Sequence, residues 1–308
     1  MKVFLFFCTI LFATTMMAQK EFPIYAKLIP NSIPCELKMT TGKNSSGKTY
    51  FANITNPTLT VYIPTKKDPF KTAVLICPGG GYSRVVIEHE GEEIAKAFNE
   101  IGITAFVLKY RLPNDTCMNN KEIVPLQDAQ QSIKLIRDHA KEYDINPNKV
   151  GVIGFSAGGH LASTLGTKFQ TNYINNIEKT NLRPDFMLLC YPVISMKEII
   201  CHKGSRDRLI GKTPTQESVD CFSTELHITT ETPITFIVHA QDDKTVPIIN
   251  SIRFYEGLVA NKINAEMHIY QTGGHGFGLY NANQPQHWFE LAKQWLLNNK
   301  LISNKLNN

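Results

Sequence analysis

The chain has 308 residues, of which 43% are hydrophobic and 19% are charged, and its formal net charge is +5. These values are typical of a globular protein with a substantial core, and they exclude a disordered or fibrous chain. The basic residues are scattered along the sequence rather than gathered in one stripe, so we expect no nucleic-acid partner.

The first residues differ in character from the rest of the chain. Lys2 provides a basic start, Val3–Ala13 is nearly continuous apolar sequence, and small and polar residues then lead to Ala18. An apolar stretch this short is typical of a cleaved signal peptide rather than of a membrane span. We therefore predict a signal peptide over residues 1–18, an exported protein that is periplasmic or extracellular, and a mature chain without a membrane span.

An early segment, Gly42–Thr49, matches the phosphate-binding loop pattern G-x-x-x-x-G-K-T. That loop works only when a helix follows it, because the N-terminus of the helix must face the phosphates. Here Tyr50–Asn56 leads instead to Pro57 and an alternating strand. We interpret the segment as a polar turn between two early strands, and we predict no nucleotide or other cofactor.

Strand-like and helix-like segments alternate along most of the chain. Leu59, Val61 and Ile63 alternate with polar residues, as in a strand near a sheet edge. The short apolar runs typical of buried parallel strands are Ala73–Ile76, Thr104–Leu108, Val150–Phe155, Phe186–Leu189 and Ile234–Val238. The stretches of helical length are Glu92–Ile101, Leu126–Tyr143, Ala157–Thr167, Asn250–Asn261 and Gln286–Asn298. This order predicts an α/β fold, with a mostly parallel central sheet and helices on both faces, in one domain over residues 19–308.

A candidate nucleophile lies where the run Val150–Phe155 meets the next helix. Gly154–Gly158 reads G-x-S-x-G, with Ser156 at its centre. A turn this sharp requires neighbours without large side chains, and it lifts the serine hydroxyl out of the sheet. The same five residues also occur in purely structural turns, but the strand before and the helix after favour a nucleophile elbow.

A serine hydroxyl needs a base to accept its proton, and three histidines are candidates. His275 lies in a glycine-rich loop just past a strand-like segment that ends near Tyr270, so its imidazole is able to reach the serine. His160 follows Ser156 on the same helix and should point along it. His239 ends an apolar strand, where a structural role is more typical. We therefore predict His275 as the general base.

The third member of a triad should be an acid at the carboxyl end of a strand, where it accepts the second N–H of the imidazole. The segment after Ile234–Val238 offers Asp242 and Asp243, and the pattern of residues alone leaves both open. Either choice gives the chain order serine, aspartate, histidine, which is the order of the α/β-hydrolase fold.

Acyl transfer also needs N–H donors for the oxyanion of the tetrahedral intermediate. Ala157 starts the helix after the serine, and three glycines follow the run Ala73–Ile76 in the segment Cys77–Tyr82. Small residues leave the backbone amides uncovered. We therefore predict an oxyanion hole made by the N–H groups of Gly80, Gly81 and Ala157.

The seven cysteines show no spacing typical of a metal site, so we predict no bound metal. Cys8 falls in the predicted signal peptide, and Cys77 and Cys190 end apolar strand-like runs. The remaining cysteines could form one or two disulfides after export, in pairs that the sequence does not specify. They are Cys35, Cys117, Cys201 and Cys221.

The segment Ser195–Thr232 interrupts the alternation of strands and helices. It is polar, rich in lysine, serine and threonine, and long for a connection. Long connections of this kind are often functional. We predict that it is either a lid or a substrate-binding insertion.

Several motifs together resemble bacterial secreted esterases of the acetylxylan esterase type. They are PGGGYSRV, AFVLKYRLPN, GFSAGGHLAS, HAQDDKTVP and GGHGFGL, and the likeness extends from about Leu59 to the last helix. In such relatives the acid lies four residues after the strand-end histidine and four before the proline of a Val-Pro pair, which implies Asp243. We expect Asp242 to bond nearby amides of the turn instead. Commoner relatives have histidine where this chain has Pro78, in the segment Cys77–Tyr82 that we call the oxyanion loop, and this change removes no backbone donor.

The resemblance implies a serine esterase that removes short acyl groups, above all acetyl, from carbohydrate such as xylan through an acyl-enzyme on Ser156. The partner is then an acylated saccharide or a small ester. The alternatives are a feruloyl esterase, a general short-chain carboxylesterase, and a prolyl-type peptidase, for which this sequence offers no propeller. An inactive binding module is a further alternative, against which the intact serine, aspartate and histidine argue. The sequence does not predict the oligomeric state.

Overall fold

The computed structural model describes residues 19–304, so the predicted signal peptide lies outside the described residues. The strands are β1 (Lys20–Pro23), β2 (Thr40–Lys43), β3 (Thr49–Ala52), β4 (Thr58–Tyr62), β5 (Ala73–Cys77), β6 (Arg84–Val85), β7 (Thr104–Lys109), β8 (Val150–Phe155), β9 (Phe186–Cys190), β10 (Ile234–Ala240) and β11 (Ala265–Tyr270). The helices are α1 (Glu93–Glu100), α2 (Val124–Asp138), α3 (Ala157–Thr167), α4 (Lys203–Ile210), α5 (Gln216–Phe222), α6 (Ile249–Ala260) and α7 (Trp288–Asn298). A π-helical turn at Glu88–Glu92 precedes α1, and a 3-10 turn at Thr224–Leu226 follows α5.

An eight-stranded sheet carries the fold, in the order β1-β4-β7-β5-β8-β9-β10-β11. The strands from β7 to β11 in this order are parallel, whereas β4 pairs antiparallel with β7 and β1 pairs antiparallel with β4. Every residue of β5, β8 and β9 is buried. Because successive side chains point to opposite faces, both faces of these strands are covered. This explains why they are continuous apolar runs in the sequence, and it confirms the predicted mostly parallel sheet.

A smaller three-stranded sheet, in the order β2-β3-β6, holds the segment that resembles a phosphate-binding loop. Residues 44–48 form the turn between β2 and β3, and no helix follows the motif. The Asn44 side-chain oxygen accepts the backbone N–H groups of Ser46 and Lys48, which stabilises the turn from within. The prediction of a polar turn between two early strands is confirmed.

The segment Ser195–Thr232 is folded rather than irregular, because it contains α4, α5 and the 3-10 turn. Asn250 of α6 anchors its start: the side-chain oxygen accepts the N–H groups of Ile194 and Ser195, and the side-chain nitrogen donates to the carbonyl of Ile200. The Asn250 side chain therefore fastens the start of the segment to α6. Among residues 19–304, no helix has the length and apolar character needed to cross a bilayer.

His160 of α3 lies fully buried beneath this segment. Its Nδ1 is 2.8 Å from the hydroxyl of Tyr82, and its Nε2 is 2.7 Å from the carbonyl oxygen of Phe222. Burial lowers the pKa of His160 from 6.5 to about 4, so the ring is neutral near pH 7. The structure therefore makes this histidine a structural group, in a hydrogen-bonded bridge between the main body and α5.

The low pKa of His160 predicts a loss of stability in mild acid. As the pH falls from 6.5 toward about 4, the unfolded chain binds a proton that the folded chain does not, so folding weakens across that window. The full effect is about 3 kcal/mol in the free energy of unfolding. Urea unfolding near neutral pH and near about pH 4.5 should show a smaller decrease for His160→Gln than for the wild type. An equal decrease in both proteins would contradict this account.

A disulfide joins Cys35 to Cys117, which lie 82 positions apart in the sequence. The backbone also pairs there, because Ile33 N–H donates to the carbonyl of Cys117 and Asn119 N–H donates to that of Asn31. The other described cysteines are free. Cys77 and Cys190 are buried at the ends of β5 and β9, as predicted, and Cys201 and Cys221 are partly exposed.

Loss of this disulfide should destabilise the protein. Opening a loop of this length restores chain entropy to the unfolded state, and we expect Cys35→Ser to lower the free energy of unfolding by about 2–4 kcal/mol. Cys201→Ser removes a free thiol and is the matched control. Thermal unfolding without reductant measures both variants, and equal transition temperatures would show that the disulfide does not stabilise the fold.

Candidate active site

Ser156 lies at the sharp turn between β8 and α3. Its φ is +52°, a strained value for a residue with a side chain, and its N–H donates to the carbonyl of Cys190 at the end of β9. A Cβ atom at Gly158 would collide with the carbonyl of Cys77 at the end of β5, so this position requires glycine. The serine is thus held where the carboxyl ends of three neighbouring strands meet.

The structure brings Ser156, His275 and Asp243 into one hydrogen-bonded chain. His275 Nε2 is 2.8 Å from Ser156 Oγ, and His275 Nδ1 is 2.6 Å from Asp243 Oδ2. With the carboxylate on one side, the imidazole keeps its proton on Nδ1 and leaves Nε2 free to accept the proton of the serine. The arrangement is chemically able to activate a serine for attack on a carbonyl.

The Asp243 carboxylate is buried and fully used by hydrogen bonds. Oδ1 accepts the N–H groups of Thr245 and Val246, and Oδ2 accepts from His239 as well as from His275. Burial pushes the pKa of Asp243 upward, but the bonds from the two histidines outweigh burial and hold the pKa well below its ordinary value. Asp243 is therefore a carboxylate in neutral and mildly acidic solution.

His239 contributes to the site in a way that its position in the sequence did not show. Its Nε2 lies 3.1 Å from both Asp243 Oδ2 and the carbonyl oxygen of Val246, so this nitrogen carries a proton. Its Nδ1 is 2.7 Å from the hydroxyl of Ser251, which donates to it. We expected a structural histidine, and the ring is indeed buried, but it also fixes the carboxylate that faces His275.

The structure gives the two adjacent acids different partners. Asp242 Oδ1 accepts the N–H of Gly274, in the loop that carries His275, at 2.8 Å. The turn amides that we assigned to Asp242 are instead bonded by Asp243, so that expectation was wrong. The reason is geometric, because consecutive side chains leaving a strand point in different directions and only the second one turns back over its own loop.

The oxyanion loop lies directly beside the serine. Gly80 and Gly81 have φ values of +130° and +63°, which side chains rarely tolerate. The N–H of Gly79 is already engaged, because it donates to Glu90 Oε2 at 2.7 Å. Within residues 19–304, the N–H groups of Gly80, Gly81 and Ala157 have no protein acceptor. All three predicted donors are therefore free to bind a negatively charged oxygen.

A buried link that the sequence did not reveal joins the oxyanion loop to the histidine loop. Glu90 accepts the Gly79 N–H with one oxygen and the Tyr191 hydroxyl with the other, the latter at 2.8 Å. The Tyr191 oxygen in turn accepts the N–H of Gly278, and its ring packs edge-on against His275 with the ring centres 5.0 Å apart. One connected set of hydrogen bonds therefore links the two loops.

These groups open into a cleft of about 520 Å³. Its walls come from the β2–β3 turn, the oxyanion loop, the start of the π-helical turn, α4 and its N-cap, and the loops of the acid and the histidine. The described residues that line it are Asn44, Ser45, Ser46, Gly80, Gly81, Ser83, Arg84, Val86, His89, Glu90, Ser156, His202, Arg208, Thr245, His275 and Gly276. In the part of the chain that the structure describes, no cluster of histidine, cysteine or acidic side chains could hold a metal ion.

The predicted insertion Ser195–Thr232 supplies part of this wall through His202 and Arg208. His202 caps α4 and its Nδ1 is 2.8 Å from the hydroxyl of Ser205. Burial lowers the pKa of His202, and the nearby His275 and Arg208 lower it further. Neither residue was among the predicted site residues, because α4 has no clear apolar periodicity that would mark a helix there.

Comparison with known proteins identifies the family. The BD-FAE family model matches residues 59–258, more than half of the chain. The chain is 36% identical over 234 residues to an acetylxylan esterase of Xylanibacter ruminicola, covering 75% of this chain and 45% of that protein. It is 35% identical over 230 residues to endo-1,4-beta-xylanase B of Butyrivibrio fibrisolvens, covering 73% of this chain and 35% of that protein. The chain thus spans less than half the length of these two relatives.

Among solved structures, the fold matches that of an acetyl ester-xyloside bifunctional hydrolase from Caldicellulosiruptor lactoaceticus. The TM-score is 0.72 at 37% identity, covering 80% of this chain and 90% of that one. The chain therefore belongs to the BD-FAE family and is an α/β-hydrolase of the acetylxylan esterase type.

Proposed function

We propose that the protein is a serine esterase that hydrolyses short acyl esters, above all acetyl esters, on carbohydrate such as xylan. The single observation that carries this proposal is the hydrogen-bonded chain from Asp243 through His275 to Ser156, which opens into a cleft. The names of two similar proteins, an acetylxylan esterase and an acetyl ester-xyloside hydrolase, support the substrate class.

The geometry supports the following course of reaction. Ser156 Oγ attacks the ester carbonyl while His275 Nε2 takes its proton, and Asp243 stabilises the imidazolium that forms. The N–H groups of Gly80, Gly81 and Ala157 bind the oxyanion. The imidazolium then gives its proton to the departing sugar hydroxyl, which leaves an acyl-enzyme on the serine. A water molecule, activated by the same histidine, releases the acid and restores the serine.

The lining of the cleft favours an acetylated sugar over a feruloyl ester. Apart from glycines, Val86 is the only apolar residue among the described residues of the wall, and the only rings there are those of histidines. An aromatic acyl group needs apolar or aromatic surface, whereas sugar hydroxyls need hydrogen-bonding groups. Hydroxyl and amide groups of Asn44, Ser45, Ser46 and Thr245 provide such partners.

Release of acid from a panel of esters tests this proposal. Acetylated xylan, a feruloylated arabinoxylan fragment and a short-chain 4-nitrophenyl ester are compared by kcat/KM, with Ser156→Ala as the inactive control. We expect acetate release to exceed ferulate release by at least about tenfold in kcat/KM. Ferulate release without acetate release would make the protein a feruloyl esterase instead.

We also propose that the protein is exported and that residues 19–308 form one domain. The disulfide between Cys35 and Cys117 is of the kind that persists in oxidising compartments, and residues 1–18 have the composition of a signal peptide. One core cluster includes both Ile24 near the start and Ile302 near the end of the described chain, which supports a single domain. N-terminal sequencing of the protein recovered outside the cytoplasm tests export, with Gln19 as the expected first residue.

A further inference from the structure

Two arginines lie at the exposed rim of the cleft that holds Ser156. Arg84 belongs to β6, and its guanidinium carbon lies 5.0 Å from the ring centre of Tyr50. Arg208 belongs to α4, and its Nη1 donates to the carbonyl of Gly81 at 3.3 Å and to that of Gly204 at 2.9 Å. The aromatic ring and the carbonyls hold the two side chains in place.

Neither arginine forms an ion pair with a carboxylate of residues 19–304. This is unusual for the protein, since four of its other five arginines have an acidic partner within 4.0 Å. The paired arginines are Arg111, Arg137, Arg206 and Arg253. Both rim arginines therefore keep guanidinium N–H groups free for a negatively charged partner.

The cleft has no acidic group that could neutralise them. Among its described lining residues the only carboxyl belongs to Glu90, which is buried and bonded to the Gly79 N–H and the Tyr191 hydroxyl. His89 faces Glu93, which lies outside the lining. The mouth of the cleft is therefore positively charged, and a neutral sugar would leave that charge unused.

We propose that the cleft selects acetylated carbohydrate that carries a carboxylate, such as a uronate substituent, close to the ester, and that Arg84 and Arg208 bind this carboxylate. The proposal rests on the proposed function. The planar guanidinium offers two parallel N–H groups that match the two oxygens of a carboxylate. The carboxylate belongs to the sugar rather than to the acyl group, because both guanidinium groups lie at the rim while Ser156 is only 6% exposed.

A matched pair of substrates tests this selection. Two acetylated xylo-oligosaccharides that differ only in one uronate next to the acetylated sugar are compared by kcat/KM. Ion pairs at exposed sites are individually weak, so we expect a preference of about fivefold to tenfold for the uronate substrate. Arg84→Gln and Arg208→Gln should each reduce this preference about threefold, and the double variant should abolish it. Raising the salt from about 20 mM to about 500 mM should also reduce it.

Control variants distinguish the effect of a charge in the cleft on this preference from the effect of a charge elsewhere on the protein. Arg253→Gln removes the same charge from the outer face of α6, where Arg253 pairs with Glu256, and should leave both rates unchanged. Arg208→Lys keeps the positive charge but loses the planar pair of N–H groups, so it should retain more of the preference than Arg208→Gln and less than the wild type. A third substrate, a neutral oligosaccharide esterified with a hemisuccinyl group, tests whether the arginines bind a carboxylate on the acyl group instead of on the sugar.

The outcomes distinguish this inference from the proposed function. Equal kcat/KM for the two acetylated substrates, or a preference that survives in the double variant, would overturn the role of the arginines while leaving the esterase proposal intact. An arginine-dependent preference for the hemisuccinyl ester alone would overturn the placement of the carboxylate on the sugar. If neither acetylated substrate releases acetate, the proposed function fails, and the selection for a uronate fails with it.

Discussion

Replacing Ser156 with alanine is expected to lower kcat on an acetylated substrate by at least about 10⁴-fold. The variant keeps the oxyanion donors and the cleft, but it has no atom to form the acyl-enzyme. Initial rates of acetate release at saturating substrate measure the effect. The fold should persist, because within residues 19–304 the Ser156 hydroxyl bonds to His275 alone, and the bond from the Ser156 N–H to the Cys190 carbonyl belongs to the backbone and is kept.

A matched control for this change is Ser163→Ala, farther along α3. Ser163 Oγ bonds to the carbonyl of His160 and the hydroxyl of Thr224, and it lies outside the cleft lining. The control should lose some stability and keep kcat within about threefold of the wild type. If a well-folded Ser156→Ala protein kept more than about a tenth of the wild-type kcat, another group would have to be the nucleophile.

A second large loss of kcat is expected for only one of the two adjacent acids, Asp242 and Asp243. Asp243→Asn should lower kcat by about 10³–10⁴-fold, because an amide that donates toward His275 Nδ1 holds the imidazole in the tautomer that cannot accept the serine proton. The substitution also weakens the bond from His239. Asp242→Asn keeps a side-chain oxygen that can accept the N–H of Gly274, so it should cost less than about tenfold.

Both acid variants are measured on one acetyl ester, with circular dichroism to establish that each is folded. Each removes one negative charge at adjacent positions, so a difference between them cannot come from net charge. A larger loss of kcat for Asp242→Asn than for Asp243→Asn would contradict the geometry in which Oδ2 of Asp243 faces His275.

Much of the fold was predictable because it depends on local patterns. Strands covered on both faces are continuous apolar runs, so β5, β7, β8, β9 and β10 were found to within two residues at their ends. The α/β-hydrolase fold and the acetylxylan esterase type are confirmed by the family match and the similar structures. The turn around Ser156 and the loop of His275 were visible because the close approach of Gly158 to the Cys77 carbonyl and the positive φ values of Gly274 and Gly276 require glycine, which is readable in the sequence.

Contacts between distant residues were not predictable. Glu90 and Tyr191 lie 101 positions apart in the sequence. No local sequence pattern marks either residue as a partner of the oxyanion loop or of the loop that carries His275. The pairing of Cys35 with Cys117 is of the same kind, since four cysteines allow several pairings and only the path of the chain selects one.

The helices α4 and α5 were missed for a different reason. Their sequences are short and polar, and the buried face of α4 contains Ser205 and Arg206 together with Leu209, so no apolar period is visible. Capping rather than apolar burial marks their starts: His202 accepts the N–H of Ser205, and the Thr215 side chain accepts that of Ser218. The threonine cap was a readable signal of a helix start.

Covalent labelling shows whether Ser156 is the nucleophile of an esterase. A fluorophosphonate reacts with a serine only when a neighbouring base activates it, and mass spectrometry of the digested protein locates the label. We expect one label per chain, on Ser156, and loss of acetate release in proportion to labelling. Full acetate release from a protein labelled at Ser156, or complete loss of activity with the label on another residue, would contradict this role of Ser156.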